Sequence, residues 1–122
     1  MKFLVVDDSP TMRRIMCNTL IEIGYNDLDE AEDGAQALAK LTGGSFDFLV
    51  TDWNMPNMNG LELTKTVRQD PRLFELPILM VTTRGMKDDV LAAMQAKVNN
   101  YVIKPFTADI LRQKIDMILK NC

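Results

Sequence analysis

The chain has 122 residues, 47% of them apolar and 25% charged, with a formal net charge of −3. This length predicts one domain spanning 1–122 with a single packed core, and the acidic balance argues against a nucleic-acid surface, which needs a basic face. No apolar run approaches the roughly 20 residues needed to cross a membrane, and KFLVV at 2–6 is too short for a signal peptide.

Short apolar runs alternate with helical spacing along the whole chain. KFLVV (2–6) reads as a fully buried strand, ending in Asp7 and Asp8. Ser9 caps a helix with Pro10 at its first position, where a missing N–H costs nothing. Met12, Ile15, Met16, Thr19, Leu20 and Ile23 recur at helical spacing, and Gly24 ends that helix. A weaker strand lies near 27–31, followed by Asp33-Gly34 and a helix through Leu38 and Leu41 that Gly43-Gly44 stops. FDFLVT (46–51) is the third strand, and it runs into Asp52. WNMPNMNG (53–60) is a loop, densely punctuated by Asn, Pro and Gly. Leu61, Leu63, Thr64 and Val67 suit a helix that ends before Pro71. Pro77 opens the strand PILMV, which ends at Thr82 and Thr83, and Met86, Val90, Leu91 and Met94 mark a fourth helix. Tyr101, Val102 and Ile103 form a short strand, and Lys104-Pro105 turns the chain. Thr107 then caps a last helix containing Ile110, Leu111, Ile115, Ile118 and Leu119.

The fold class is therefore α/β, (βα)5, with a parallel sheet covered by helices on both faces. Five units are too few for a closed barrel, so an open doubly wound sheet is expected. In such sheets ligands bind beyond the carboxyl ends of the strands, where strand order reverses. Asp7, Asp8, Asp52, Thr82 and Lys104 all stand at strand ends. With strand order 2-1-3-4-5, the first and third strands are neighbours, and Asp7 and Asp8 face Asp52 across the crevice.

The residue types narrow the chemistry. The chain contains no histidine, which excludes Ser-His-Asp triads and histidine metal sites. Cys17 and Cys122 are too few for a disulfide framework, and a reducing, cytoplasmic setting is the default. Any metal would be held by oxygen, so Mg²⁺ is the natural ion. Such an ion would relieve the repulsion among clustered carboxylates. Asp8 and Asp52 are the expected direct ligands, with Asp7 binding directly or through water and the backbone carbonyl of Asn54 completing the protein share. Asp52 is the best candidate nucleophile: it stands alone on the middle strand, before a loop that leaves room for in-line approach. Lys104 can neutralise phosphoryl charge, and the Thr82 hydroxyl or a backbone N–H can bind a phosphoryl oxygen.

The set VVDDS at 5–9, TDWNMPNMNG at 51–60, MVTT at 80–83 and YVIKPF at 101–106, in this order, resembles the receiver domains of bacterial two-component response regulators over essentially the full chain. Within that family, the DWNMP loop and the run NNYVIKPFT are most similar to the single-domain chemotaxis regulators, which have a flavodoxin-like fold. The resemblance implies that Asp52 is the phosphoacceptor and that Asp7, Asp8, Asp52 and the Asn54 carbonyl form the Mg²⁺ site. It implies that Thr82 and Lys104 contact the phosphoryl group, that Thr82 and Tyr101 form the switch pair, and that Lys104-Pro105 is a cis peptide aiming the lysine into the pocket. On phosphorylation Thr82 would move toward the new oxygens and Tyr101 would turn inward. The face built from the fourth helix, fifth strand and fifth helix would then change shape and bind its target. The implied partners are a histidine kinase, the flagellar motor switch and a phosphatase, and the implied state is a monomer. The chain ends soon after the last helix, which leaves protein–protein contact as the expected output rather than an attached effector domain.

Three departures from the family pattern carry expectations. Arg84 stands where an acidic residue is often found, and with Asn54 it flanks the pocket at positions that tune phosphoryl loss. Thr83 replaces a small residue and would crowd the space Tyr101 enters. Lys97 replaces a glycine, at a cost of roughly 1 kcal/mol if its backbone is left-handed. Elsewhere Arg13 and Arg14 read as a solvated helix face, Trp53 as part-exposed loop packing, and the nine methionines as core filler.

Other functions compete. A phosphorelay intermediate or phosphate sink uses the same residues. A Mg²⁺-dependent phosphatase with an aspartyl-phosphate intermediate usually has a second Asp two residues after the nucleophile, where this chain has Asn54. A flavodoxin-like cofactor carrier is disfavoured because acidic Asp7 and Asp8, rather than a phosphate-cradling loop, follow the first strand.

Overall fold

The computed structural model describes residues 1–121; Cys122 lies outside the described residues. Five strands alternate with five helices: β1 Lys2–Val6, α1 Pro10–Glu22, β2 Asp27–Ala31, α2 Gly34–Gly43 and β3 Phe48–Thr51, then α3 Gly60–Gln69, β4 Ile78–Thr82, α4 Lys87–Gln95, β5 Asn100–Ile103 and α5 Ala108–Lys120. The strands form one parallel sheet in the order β2-β1-β3-β4-β5.

Alternation along each strand splits the core into two layers. Leu4, Val6, Leu49, Ile78 and Met80 face Ala37, Leu41, Leu63, Val67 and Ala93 of α2, α3 and α4. Phe3, Val5, Phe48, Val50, Leu79 and Val81 face Met16, Leu20, Leu111, Ile115 and Ile118 of α1 and α5. The central strands are buried on both faces, hence their unbroken apolar runs. β2 lies at the sheet edge, and its Asp27, Asp29 and Glu30 keep that edge polar.

Side-chain caps start four of the helices. Ser9, Asp33, Asn59 and Thr107 accept the amides of Met12, Gln36, Glu62 and Ile110, and Asn59 and Glu62 complete a reciprocal capping box. Gly24 ends α1 at a φ of 111°, as its position predicts. Lys97 follows α4 with a φ of 75°, so the left-handed backbone is present without glycine.

The structure corrects several expectations. β3 starts at Phe48 rather than 46, because the Asp47 carboxylate takes the Lys2 amide at 2.7 Å. α4 turns Val90 and Ala93 toward the core, while Met86, Leu91 and Met94 are 73%, 53% and 46% exposed. The methionines divide accordingly: Met16 and Met80 fill core, whereas Met86, Met94 and Met117 stand on the surface. Trp53 is buried against the α2–α3–α4 layer rather than part-exposed.

Candidate functional site

Strand register assembles the acidic site. Val6 pairs with Thr51, so the next residues, Asp7 and Asp52, emerge side by side from β1 and β3. Their backbones stay in the ladder: the Asp7 amide donates to Ala31 at 3.2 Å and the Asp52 amide to Val6 at 2.9 Å. Across the sheet, Thr82 pairs with Ile103, and the Lys104 amide donates to the Thr82 carbonyl at 2.9 Å. The Lys104–Pro105 peptide is cis, as the family resemblance implies.

Lys104 bridges the two strands. Its ammonium donates to Asp7 Oδ2 at 2.8 Å and to Asp52 Oδ2 at 2.9 Å, and all three side chains are about nine-tenths buried. Burial works against the charged form of Lys104. The hydrogen bonds and charges of Asp7 and Asp52 outweigh it and hold the ammonium pKa above the usual lysine value. The remaining oxygens are anchored by backbone: Ser9 N–H donates to Asp7 Oδ1 at 2.9 Å and Trp53 N–H to Asp52 Oδ1 at 2.6 Å.

Asp8 completes the cluster from the exposed side. One oxygen from each of Asp7, Asp8 and Asp52 lies within 4.8 Å of the others. Three carboxylates with no nitrogen or sulfur donor make a set that fits a hard divalent cation.

The loop that carries Asp52 is braced on two sides. Gly60 N–H donates to the Trp53 carbonyl at 2.8 Å, and a Cβ at position 60 would overlap the Asp52 carbonyl oxygen, so only glycine fits there. Gly34 N–H donates to the Met58 carbonyl at 2.9 Å, and the Asn57 side chain donates to the Asp33 carboxylate at 2.7 Å.

The predicted switch residues form a second group, joined through Arg84. Thr82 is fully buried, and its hydroxyl oxygen accepts the Arg84 amide at 3.4 Å. Tyr101 already stands inward, and its hydroxyl donates to the Arg84 carbonyl at 2.7 Å. Burial pushes the Tyr101 hydroxyl up to about 12, with Asp89 and Asp52 adding to the shift and Arg84 opposing it. Thr83 is exposed beyond the end of β4, and Tyr101 is buried with it in place. The Asn54 side chain accepts Arg84 Nε at 2.9 Å.

Two contributors escaped the sequence reading. Arg13 is not solvated: it donates to the Asp7 carbonyl at 2.7 Å and to Glu30 at 3.2 Å, with its side chain only 13% exposed. Helical side chains lean toward the N-terminus, and an arginine in the first turn after an Asp-Asp pair is the signal that points to it. Arg14 is exposed, as expected. Trp53 offers its ring to the Arg84 guanidinium at 4.6 Å.

The chain's sequence matches the model of the response regulator receiver domain over residues 3–116. It belongs to the response regulator receiver family. It is 53% identical to the chemotaxis protein CheY of Pseudomonas aeruginosa over 121 residues, covering 99% of this chain and 98% of that one. It is 54% identical to CheY1 of Helicobacter pylori over 120 residues, covering 98% and 97%. Among solved structures it resembles CheY4 of Vibrio cholerae, with a TM-score of 0.88 and 34% identity over 96% of this chain and 97% of that one. A putative response regulator from Chloroflexus aurantiacus gives a TM-score of 0.92, 34% identity and 98% and 97% coverage. This receiver domain is thus a signalling module closely related to the chemotaxis regulators, and its acidic cluster can hold a metal ion.

Proposed function

We propose that this receiver domain accepts a phosphoryl group on Asp52 from a histidine kinase and so switches its binding to a protein target. The observation that carries the reading is Lys104 clamped between Asp7 and Asp52 at 2.8 and 2.9 Å, beside the exposed Asp8. Asp7, Asp8 and Asp52, with the Asn54 carbonyl, would hold Mg²⁺, which when bound neutralises charge on the phosphoryl oxygens.

An Asp52 carboxylate oxygen bonds to phosphorus as the N–P bond of the kinase phosphohistidine breaks, and the imidazole takes up a proton. The Trp53 N–H fixes the carboxylate, and Lys104 exchanges a carboxylate contact for a phosphoryl oxygen. The Thr82 hydroxyl binds another of those oxygens. Tyr101, inward and bonded to the Arg84 carbonyl, occupies the arrangement that phosphorylation favours over an outward one. Asn54 and Arg84 flank the acyl phosphate and set its lifetime against self-hydrolysis and phosphatase attack.

The outer face of α4, β5 and α5 suits a protein target: Met86, Leu91, Met94, Ile103 and Ile110 are all exposed there. With relatives that are chemotaxis proteins, the flagellar motor switch is the partner favoured for this face, in the cytoplasm and with the receiver as a monomer. No described helix is long and apolar enough to cross a membrane.

Phosphotransfer from a radiolabelled chemotaxis histidine kinase tests the reading. The wild type should take the label and then bind a motor-switch segment more tightly, and Asp52→Asn should do neither. Equal labelling of both proteins would reject Asp52 as the acceptor. Labelling without tighter binding would reject the motor switch as the target.

A further inference from the structure

Arg84 touches more of the switch than any one role at its position requires. Its guanidinium lies 4.6 Å over the Trp53 ring and donates through Nε to Asn54 Oδ1 at 2.9 Å, both in the loop that carries Asp52. The same group reaches Asp89 of α4 through Nη1 at 3.3 Å. Its carbonyl holds the Tyr101 hydroxyl, and its amide points to the Thr82 hydroxyl.

The helix at the far end of this tie is weakly started. Met86 occupies the N-cap of α4 and makes no side-chain cap, unlike the capping residues of the other four helices. Asp89 lies in the first turn of α4, where its charge complements the helix N-terminus. The Arg84–Asp89 pair is partly exposed, with side chains 40% and 24% accessible. Such pairs are weak and readily exchanged for a stronger anion. A phosphoryl group offers that anion, with more charge and better acceptor oxygens than one carboxylate.

We propose that Arg84 is a positioning residue that ties the reactive loop to the first turn of α4, and that a phosphoryl group on Asp52 loosens α4 by drawing this guanidinium away from Asp89. The coupling rests on Asp52 as phosphoacceptor. It adds a route from the reaction to the exposed apolar face of α4 that runs through the Arg84 guanidinium, beside the contacts its backbone makes with Thr82 and Tyr101.

Amide hydrogen exchange on the full chain tests it, with Mg²⁺ and with or without a small acyl phosphate, at phosphoryl occupancy measured by intact mass. The reporter is the Val90 amide, which donates to the Met86 carbonyl across the first turn of α4 at 3.1 Å. In the wild type its exchange should quicken on phosphorylation by about two- to five-fold, the scale of one lost exposed ion pair. Arg84→Ala and Asp89→Asn should each start at the faster rate and respond no further, whereas Arg84→Lys should recover part of the response. A purely structural role would raise exchange in both states and leave the response intact. Equal responses in the wild type and Arg84→Ala, or a labelled wild type with unchanged Val90 exchange, would overturn the coupling alone. An unlabelled Asp52 would overturn the phosphoacceptor reading and the coupling with it.

Discussion

At the scale of single residues, the site depends on one cation balancing two buried anions. Removing Lys104 leaves Asp7 and Asp52 side by side with no neutralising partner, and breaking a buried pair this way costs about 3 kcal/mol or more. Lys104→Met should therefore unfold at lower urea without metal. Mg²⁺ should stabilise this variant more than it stabilises the wild type, because the ammonium no longer competes for the carboxylate oxygens. The lysine also sets a pH dependence. Its folded pKa is raised above the unfolded value of about 10.4. The stability it supplies is thus complete below that value and lost as pH rises through the folded pKa. Denaturation midpoints measured across the alkaline range should fall in the wild type and fall less in Lys104→Met; parallel curves would contradict this. Asp7, Asp8, Asp52 and Lys104 were legible in the sequence because each ends an apolar strand, and strand ends converge in this fold. Arg13 and Trp53 were not, because what buries them comes from distant segments: Glu30 on β2 for the arginine, and the α2–α3–α4 layer for the ring.

At the scale of elements, capping chemistry explains where helices begin, and one position shows a local conflict. Ser9 and Thr107 were read as starts because short oxygen-bearing side chains satisfy first-turn amides, and Asp33 and Asn59 cap α2 and α3 by the same chemistry. Lys97 holds a φ of 75° that a β-carbon disfavours. Lys97→Gly should raise stability by about 0.5 kcal/mol, the part of the left-handed penalty that outlasts the extra entropy of glycine in the unfolded chain. Urea denaturation at fixed pH reads this directly, and a loss of stability would show that the lysine stem contributes more than the strain removes. The apolar face of α4 was harder to read. Val90, Leu91 and Met94 fall within about 100° on the helical wheel, and tertiary packing decides that Val90 leans on the core while Leu91 and Met94 meet solvent. The exposed apolar residues that mislead a core reading are those that suit a binding face.

At the scale of the whole molecule, topology turns separated residues into a site. The register of β1 against β3 sets Asp7 beside Asp52, and β4 and β5 bring Thr82 and Lys104 to the same edge. The alternation of strands and helices was visible in the sequence, since short unbroken apolar runs alternate with longer stretches at helical spacing. The strand order was not encoded in any local run; 2-1-3-4-5 is one of the common orders of doubly wound sheets, and the observed order agrees with it. The Arg84 network had no sequence signature, because its parts belong to the β3–α3 loop, the β4–α4 loop, α4 and β5. The most direct test of the phosphoacceptor uses the isolated protein, a small acyl phosphate and Mg²⁺, with intact mass and peptide mapping. The wild type should gain one phosphoryl group on Asp52, the gain should vanish when the metal is chelated, and Asp52→Asn should gain none. Labelling that persists in Asp52→Asn, or that is indifferent to chelation, would contradict a metal-assisted phosphoryl switch centred on Asp52.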